Sequence, residues 1–196
     1  MVKMKKIGVL AIQGAFREHR NTLEKLGVEV QEVRSRENLE GIQGLIIPGG
    51  ESTAIGKQLE MNDFGETIVK MANEGVPVFG TCAGMILLSK RIDQSNQYSL
   101  GLMDTYVKRN AFGRQIASFE ADIPIKGWEG KDLRAVFIRA PYVLEAGPQV
   151  KVLSEYSGKI IFVRQENLLA SAFHPELTDD LRVHQFFLDI VDQYQK

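Results

Sequence analysis

One stretch constrains the fold of this chain more than any other. Val76-Pro77-Val78-Phe79 is a short apolar run, Gly80-Thr81-Cys82-Ala83-Gly84 is a turn, and Met85-Ile86-Leu87-Leu88 is an apolar, helix-compatible continuation. This is the layout of a nucleophile elbow with cysteine in the serine position. Gly80 and Gly84 carry no Cβ, so a strand can turn sharply into a closely packed helix. The free N–H groups and positive dipole end of that helix would then face the thiol. Cysteines in such surroundings have pKa values lowered to about 3.5–7.5, which supplies thiolate at neutral pH. A lone cysteine is more often a buried, inert packing residue. Two glycines at this spacing, after a strand and before a helix, reverse those odds.

Cys82 is the only cysteine, so its thiol has no internal disulfide partner, which fits a reducing compartment. The 196 residues predict a single domain spanning 1–196, large enough to bury roughly 70% of its unfolded surface. A net charge of −1 and a pI near 6.3 give no electrostatic footprint for nucleic acid or anionic membrane. The basic start, Met1-Val2-Lys3-Met4-Lys5-Lys6, precedes an apolar run broken by Gly8, Gln13 and Gly14. That run is too short for a signal peptide, and no stretch reaches transmembrane length. A cytoplasmic location is the expectation.

Residues 6–12 read as a strand covered on both faces, stopped by Gln13-Gly14. A helix is expected over 17–26, with Leu23 and Leu26 at helical spacing and Gly27 as its C-terminal cap. Residues 28–33 alternate as a strand nearer the sheet edge. Gly44-Leu45-Ile46-Ile47 is a third strand, ended by Pro48-Gly49-Gly50, after which Ser52 or Thr53 can cap a helix running towards Met61. A helix over 64–73, closed by Gly75, leads into the cysteine strand. This rhythm predicts right-handed βαβ crossovers and a parallel sheet, with ligands gathering at the carboxyl ends of the strands. Gln13-Gly14, Pro48-Gly49-Gly50-Glu51 and Cys82 all fall at such ends.

Beyond Ser89 the pattern changes. Residues 105–109, 118–125 and 135–139 are strand-like without intervening helices, and 150–153 and 159–164 flank a Ser157-Gly158 hairpin signal. Residues 168–173 form a last buried strand that runs into His174-Pro175-Glu176. A closing helix starting at Asp179 or Asp180 carries the apolar stripe Val183, Phe186, Phe187, Ile190 and Val191.

A thiol needs a base, and there are three histidines. His19 and His184 lie within helices and read as surface or packing residues. His174 follows a buried strand, where its side chain can project over the sheet end. Pro175 biases His174 towards extended backbone; in an extended stretch Glu176 would point the same way and fix the imidazole's tautomer. The third component is an oxyanion hole. Its donors are expected at the Ala83 N–H and in the Pro48–Ser52 loop, whose glycines allow close backbone approach. That loop lacks the Gly-Lys-Ser/Thr ending of a phosphate-binding loop, which excludes a nucleotide site there.

With Cys82 as nucleophile, His174 as base and acid, and Glu176 as orienting carboxylate, the chain resembles the class I, triad-type glutamine amidotransferases. The blocks at 8–19 (GVLAIQGAFREH), 48–53 (PGGEST), 109–115 (RNAFGRQ), 137–141 (FIRAP) and 173–178 (FHPELT) resemble one subfamily, the glutaminase subunits of glutamine-dependent pyridoxal 5′-phosphate synthases. Thr53-Ala54 stands where that subfamily carries a Thr-Thr pair, a change that leaves the backbone donors untouched. The resemblance implies a three-layer, flavodoxin-like α/β domain with a mixed, mainly parallel sheet and helices on both faces. It implies hydrolysis of L-glutamine to glutamate and ammonia through a γ-glutamyl thioester, with no metal or organic cofactor.

It further implies that Gly50, Glu51, Ser52, Arg109, Ile138 and Arg139 hold glutamine and that Gly50 and Ala83 form the oxyanion hole. Arg109 or Arg139 would meet the α-carboxylate and Glu51 the α-ammonium, while Arg114 would be structural or interfacial. The implied partner is the barrel-shaped, ring-building synthase subunit, within a large hetero-oligomer. Gln13-Gly14 would face that partner and help to activate the site. Three alternatives stay open: the glutaminase of another ammonia-using synthase, a stand-alone cysteine hydrolase, and a glutamine-binding regulatory subunit that turns nothing over.

Overall fold

The structure, a computed structural model, describes residues 4–110 and 118–194. In chain order the elements are β1 (Lys6–Leu10), α1 (Phe16–Lys25), β2 (Glu29–Val33), β3 (Gly44–Ile47), α2 (Ser52–Glu60), α3 (Phe64–Asn73), β4 (Val78–Thr81), α4 (Ala83–Leu88) and β5 (Ser89–Ile92). There follow β6 (Met103–Lys108), β7 (Ser118–Ile123), β8 (Leu133–Ile138), β9 (Tyr142–Ala146), β10 (Lys151–Tyr156), β11 (Lys159–Gln165), β12 (Leu168–Ser171) and α5 (Arg182–Tyr194). A ten-stranded sheet has the order β2-β1-β3-β4-β12-β11-β9-β6-β5, with β10 paired to β11, and β7-β8 forms a separate ribbon.

The first half of the sheet is parallel throughout, from β2 to β12. β1, β3, β4 and β12 are buried almost end to end, which is why their sequences are continuous apolar runs. β2 is the edge, as expected, but its burial rises from the exposed Glu29 to the buried Val33 instead of alternating. The second half turns antiparallel at β11, and the Ser157-Gly158 hairpin joins β10 to β11. β5 pairs with β6 in parallel at the far edge, and the sheet is therefore mixed, as the resemblance implies.

Side chains alternate across β4, and this sorts the helices into two layers. Phe79 faces α1 and α5, with its ring centroid 5.6 Å from Phe187. Gly80 faces α4: a Cβ there would strike the Gly84 backbone, and a Cβ on Gly84 would strike the carbonyl oxygen of Ile47. Two missing methyl groups thus let α4 lie directly on β3 and β4, and that contact aims Cys82.

Three further features differ from expectation. α2 is capped by Glu51, whose carboxylate accepts from the N–H groups of Thr53 (3.1 Å) and Ala54 (2.8 Å), and not by Ser52 or Thr53. A carboxylate one residue earlier reaches both free N–H groups and adds its charge to the positive end of the helix dipole. α5 starts at Arg182, after Asp180, which accepts from the Arg182 N–H at 3.1 Å. The strands β5 and β9 carry no clear sequence signal, since β5 starts directly where α4 ends and puts two charged residues, Lys90 and Arg91, outward.

Gly84→Ala must separate α4 from β3, because the added methyl meets backbone and not a movable side chain. Its cost should exceed the roughly 1–3 kcal/mol usual for core overpacking. Chemical denaturation with parental and variant chains side by side checks this; an unchanged midpoint would refute the packing argument.

Candidate active site

Cys82 lies between β4 and α4 with φ 51° and ψ −102°, a conformation rare for a residue with a side chain. Its N–H donates to the Ser171 carbonyl of β12 at 2.7 Å, and its carbonyl accepts from the Ile86 N–H at 3.3 Å. The backbone is thereby clamped on both sides, and the thiol, almost buried, lies 3.7 Å from the Ile138 carbonyl oxygen at the end of β8.

His174 follows β12 and is tied to the β7-β8 ribbon by its N–H, which donates to the Val136 carbonyl at 2.8 Å. Its Nδ1 meets Glu176 Oε1 at 2.7 Å, and its ring lies beside the Cys82 side chain on the cavity wall. The expected extended stretch is not what produces this contact. Pro175–Leu177 is a 3₁₀ turn, and His174 at its start keeps a non-helical backbone, so the turn curls Glu176 back under the ring. Proline at the first position of such a turn costs no hydrogen bond and pre-sets φ. The ring in turn lies against Gly49, where a Cβ would collide with His174 Cε1 and sit 3.3 Å from Cys82 Cβ.

Burial opposes a charge on His174, but the hydrogen bonds with Cys82 and Glu176 and the charges of both outweigh it and raise its pKa to about 10. Burial likewise pushes Glu176 up, and the facing imidazoles of His19 and His174 bring it below the ordinary carboxyl value. An imidazolium held between the Cys82 side chain and the Glu176 carboxylate is the favoured state.

His19 and His184 are packing residues, as expected, but neither lies on a helix surface. Both are completely buried behind the site. His19 Nδ1 meets His184 Nε2 at 2.9 Å, and His19 Nε2 meets Thr81 Oγ1 at 3.1 Å and faces Glu176 Oε2 at 3.4 Å. Burial lowers both pKa values, that of His184 to about 3. The helical period was the available signal. His184 stands on the stripe of Phe187 and Val191, and His19 on that of Thr22 and Leu23.

A cavity of about 440 Å³ opens in front of the thiol, and Gly50, Glu51, Ser52, Ala83, Arg109, Ile138 and Arg139 all line it. Arg109 Nη1 donates to Gln97 Oε1 at 2.6 Å, and Nη2 stands 3.6 Å from Glu51 Oε1. Ser52 Oγ donates to the same Gln97 oxygen at 3.2 Å. Gln97 sits in an irregular connection with no motif around it, which hides it from sequence reasoning. Arg139 is exposed, at positive φ (46°), and its guanidinium makes no hydrogen bond or ion pair among the described residues. Arg114 lies outside the described residues. Gln13 Oε1 accepts from the Glu51 N–H at 2.9 Å.

The Gly49 carbonyl accepts from the Ala15 N–H at 3.2 Å, on the β1 side of β3. Its peptide is trans, so the Gly50 N–H points away from Ala15. Among the described residues, no group of three or more His, Cys, Asp or Glu could hold a metal ion.

A family model described as the SNO glutamine amidotransferase family matches residues 9–193. The pyridoxal 5′-phosphate synthase subunit PdxT of Carboxydothermus hydrogenoformans is 57% identical over 186 residues, covering 95% of this chain and 97% of that protein. The protein of the same name from Pelotomaculum thermopropionicum is 58% identical over 185 residues, covering 94% of each chain. A solved structure of a glutamine amidotransferase superposes with a TM-score of 0.91 at 47% identity, covering 95% of this chain and 98% of that one. A putative GMP synthase subunit from Thermoplasma acidophilum, 18% identical, shares the fold with a TM-score of 0.72, covering 100% of this chain and 98% of its own.

The buried histidines give stability a pH signature. His174 is raised from 6.5 to about 10, so its contribution is complete below pH 6.5 and is lost as pH climbs through about 10. His184 is lowered from 6.5 to about 3, so stability falls as pH drops below 6.5, where only the unfolded chain takes up the proton. Carboxyl groups, with an ordinary value of 4.5 for glutamate, add to the acid loss only below that. Urea midpoints should therefore peak near pH 6.5, with His174→Gln flattening the alkaline side and His184→Leu reducing the slope between 6.5 and 4.5, to which His19 also contributes. A flat profile in the parent chain would contradict the assignment.

Proposed function

The chain belongs to the SNO glutamine amidotransferase family, and from that premise we propose how its pocket turns glutamine over. The chain is a glutaminase: it hydrolyses L-glutamine and delivers the ammonia to a synthase subunit that makes pyridoxal 5′-phosphate. With the Cys82 proton held on His174, Cys82 Sγ attacks the γ-carboxamide carbon as thiolate, and the developing oxyanion is received by the N–H groups of Ala83 and Gly50. His174 passes a proton to the amide nitrogen, the C–N bond breaks, and NH₃ leaves a γ-glutamyl thioester. His174 then takes a proton from water, whose oxygen attacks the thioester carbon. The C–S bond breaks, glutamate departs, and the proton returns to the Cys82–His174 pair. Glu176 holds the His174 tautomer throughout.

The observation that supports these roles is the His174 ring held by Glu176 Oε1 at 2.7 Å and lining, with Cys82, the cavity that also carries Arg109 and Glu51. Arg109 is the better placed cation for the α-carboxylate, because Gln97 already orders its guanidinium and little side-chain entropy is lost on binding. The Glu51 carboxylate, with acceptor capacity beyond its two N–H partners, takes the α-ammonium. Gly50, Ser52, Ile138 and Arg139 complete the walls. Gln13 links the β1 loop to the Glu51 backbone, a route by which partner docking reaches the oxyanion hole. A single domain over 1–196, a large hetero-oligomer and a cytoplasmic setting accompany this reading, and no described helix is long and apolar enough to cross a membrane.

Glutamate release from L-glutamine should rise on adding the synthase subunit and vanish in Cys82→Ala. Release in neither case would leave only a glutamine-binding module. Arg109→Gln should raise KM for glutamine by roughly 10- to 100-fold with a smaller change in kcat, the loss of one charge-assisted hydrogen bond. An unchanged KM would move the carboxylate to Arg139.

A further inference from the structure

His19 and His184 have no part in the chemistry described above, yet they are completely buried and lie in a row behind the triad. Glu176 spends Oε1 on His174, while Oε2 is buried and makes no hydrogen bond among the described residues. The polar group facing Oε2 is His19 Nε2, at 3.4 Å. We propose that His19 is a positioning residue of the triad: its Nε2–H, set by His184, faces Glu176 Oε2 and keeps that carboxylate ionised and oriented for His174.

The tautomers follow from the far end of the row. His184 Nδ1 is buried without a partner among the described residues. Orphaned buried N–H groups are rare, so this nitrogen carries the lone pair and His184 Nε2 carries the proton. That proton is donated to His19 Nδ1 over 2.9 Å, which places the His19 proton on Nε2. There it meets two acceptors, Thr81 Oγ1 at 3.1 Å and Glu176 Oε2 at 3.4 Å. The opposite arrangement fails at both ends. It strands an N–H on His184, and it turns a bare nitrogen of His19 towards a carboxylate oxygen. Charging either ring is opposed by burial, which lowers both pKa values. The titratable groups facing His19 are Glu176 and His174 after β12, His184 on α5 and Glu18 on its own helix. Of these, Glu176 is the one whose buried oxygen lacks another donor.

The consequence is a sign. Removing the His19 donor makes the buried Glu176 carboxylate harder to ionise, so protonation reaches it at higher pH. A protonated Glu176 no longer accepts from His174 Nδ1–H, and activity fails on the acid side first.

This inference rests on the triad reading, and the two can fail separately. If the parent complex with its synthase subunit releases no glutamate, the triad reading falls. The position of the His19 proton is read independently, by ¹⁵N NMR of the histidine side chains in the parent chain. Neutral Nε2–H tautomers of His19 and His184 at neutral pH support the proposal, and an Nδ1–H or cationic His19 overturns it. In the complex, His19→Leu should lower kcat/KM for glutamine by about 10-fold or more, within the range a positioned acid–base group supplies. The acid limb of its pH profile should move to higher pH while KM changes little. His19→Gln, whose carboxamide NH₂ reaches the place of imidazole Nε2, should restore both. A folded His19→Leu with the parental profile, or a His19→Gln as impaired as His19→Leu, overturns the proposal. If His19→Leu does not fold, the NMR tautomer and His19→Gln decide.

Discussion

Cys82 is held at φ 51° and ψ −102°, where a side chain costs about 1–3 kcal/mol, and its surroundings are arranged to keep it there. Ser171 on one neighbouring strand takes its N–H, the first turn of α4 takes its carbonyl, and the absent side chains of Gly80 and Gly84 let that helix close on β3 and β4. The strain is useful because no relaxed strand or helix position would lift the thiol clear of the sheet and leave the Ala83 N–H beside it. The order of the sheet does the rest. β4 lies between β3 and β12, so the glycine loop after one neighbour and the His174 loop after the other flank the cysteine.

The parallel half of the fold is legible in the sequence because β1, β3, β4 and β12 are buried almost end to end and glycine or proline turns punctuate them. Cys82, His174 and Glu176 are legible for the same reason, since each sits just past the carboxyl end of such a strand. What is hidden depends on three-dimensional convergence. Glu51 as the cap of α2 is masked by Ser52 and Thr53, which have the more familiar capping side chains. Gln97 acquires a role only because β6 delivers Arg109 beside it. The 3₁₀ turn at Pro175 places Glu176 correctly by a geometry different from the expected extended one. His19 and His184 each look like one more member of an apolar stripe. Only when α1 and α5 meet over Phe79 do they form a row that ends on Glu176.

That row shows how a buried carboxylate can remain charged. Desolvation alone would neutralise Glu176, and His174 supplies a donor to only one of its oxygens. A neutral imidazole with its proton on the correct nitrogen stabilises the second oxygen without adding a competing charge, which a buried lysine or arginine would bring. The resulting order along the row, neutral His184, neutral His19, anionic Glu176 and cationic His174, places formal charge only where it meets the thiol.

The substrate-binding wall uses the same economy from the opposite side of the cysteine. Glu51 caps α2 through two backbone N–H groups and faces Arg109, and Arg109 is braced by Gln97, which also takes the Ser52 hydroxyl. The guanidinium is therefore ordered by groups that also define where α2 begins. Glu51 and Arg109 are partly exposed, at 53% and 30% of their side chains, so solvent screens their attraction and the geometry is held mainly by hydrogen bonds. Displacing Glu51 would therefore loosen the start of α2 and the setting of Arg109 together.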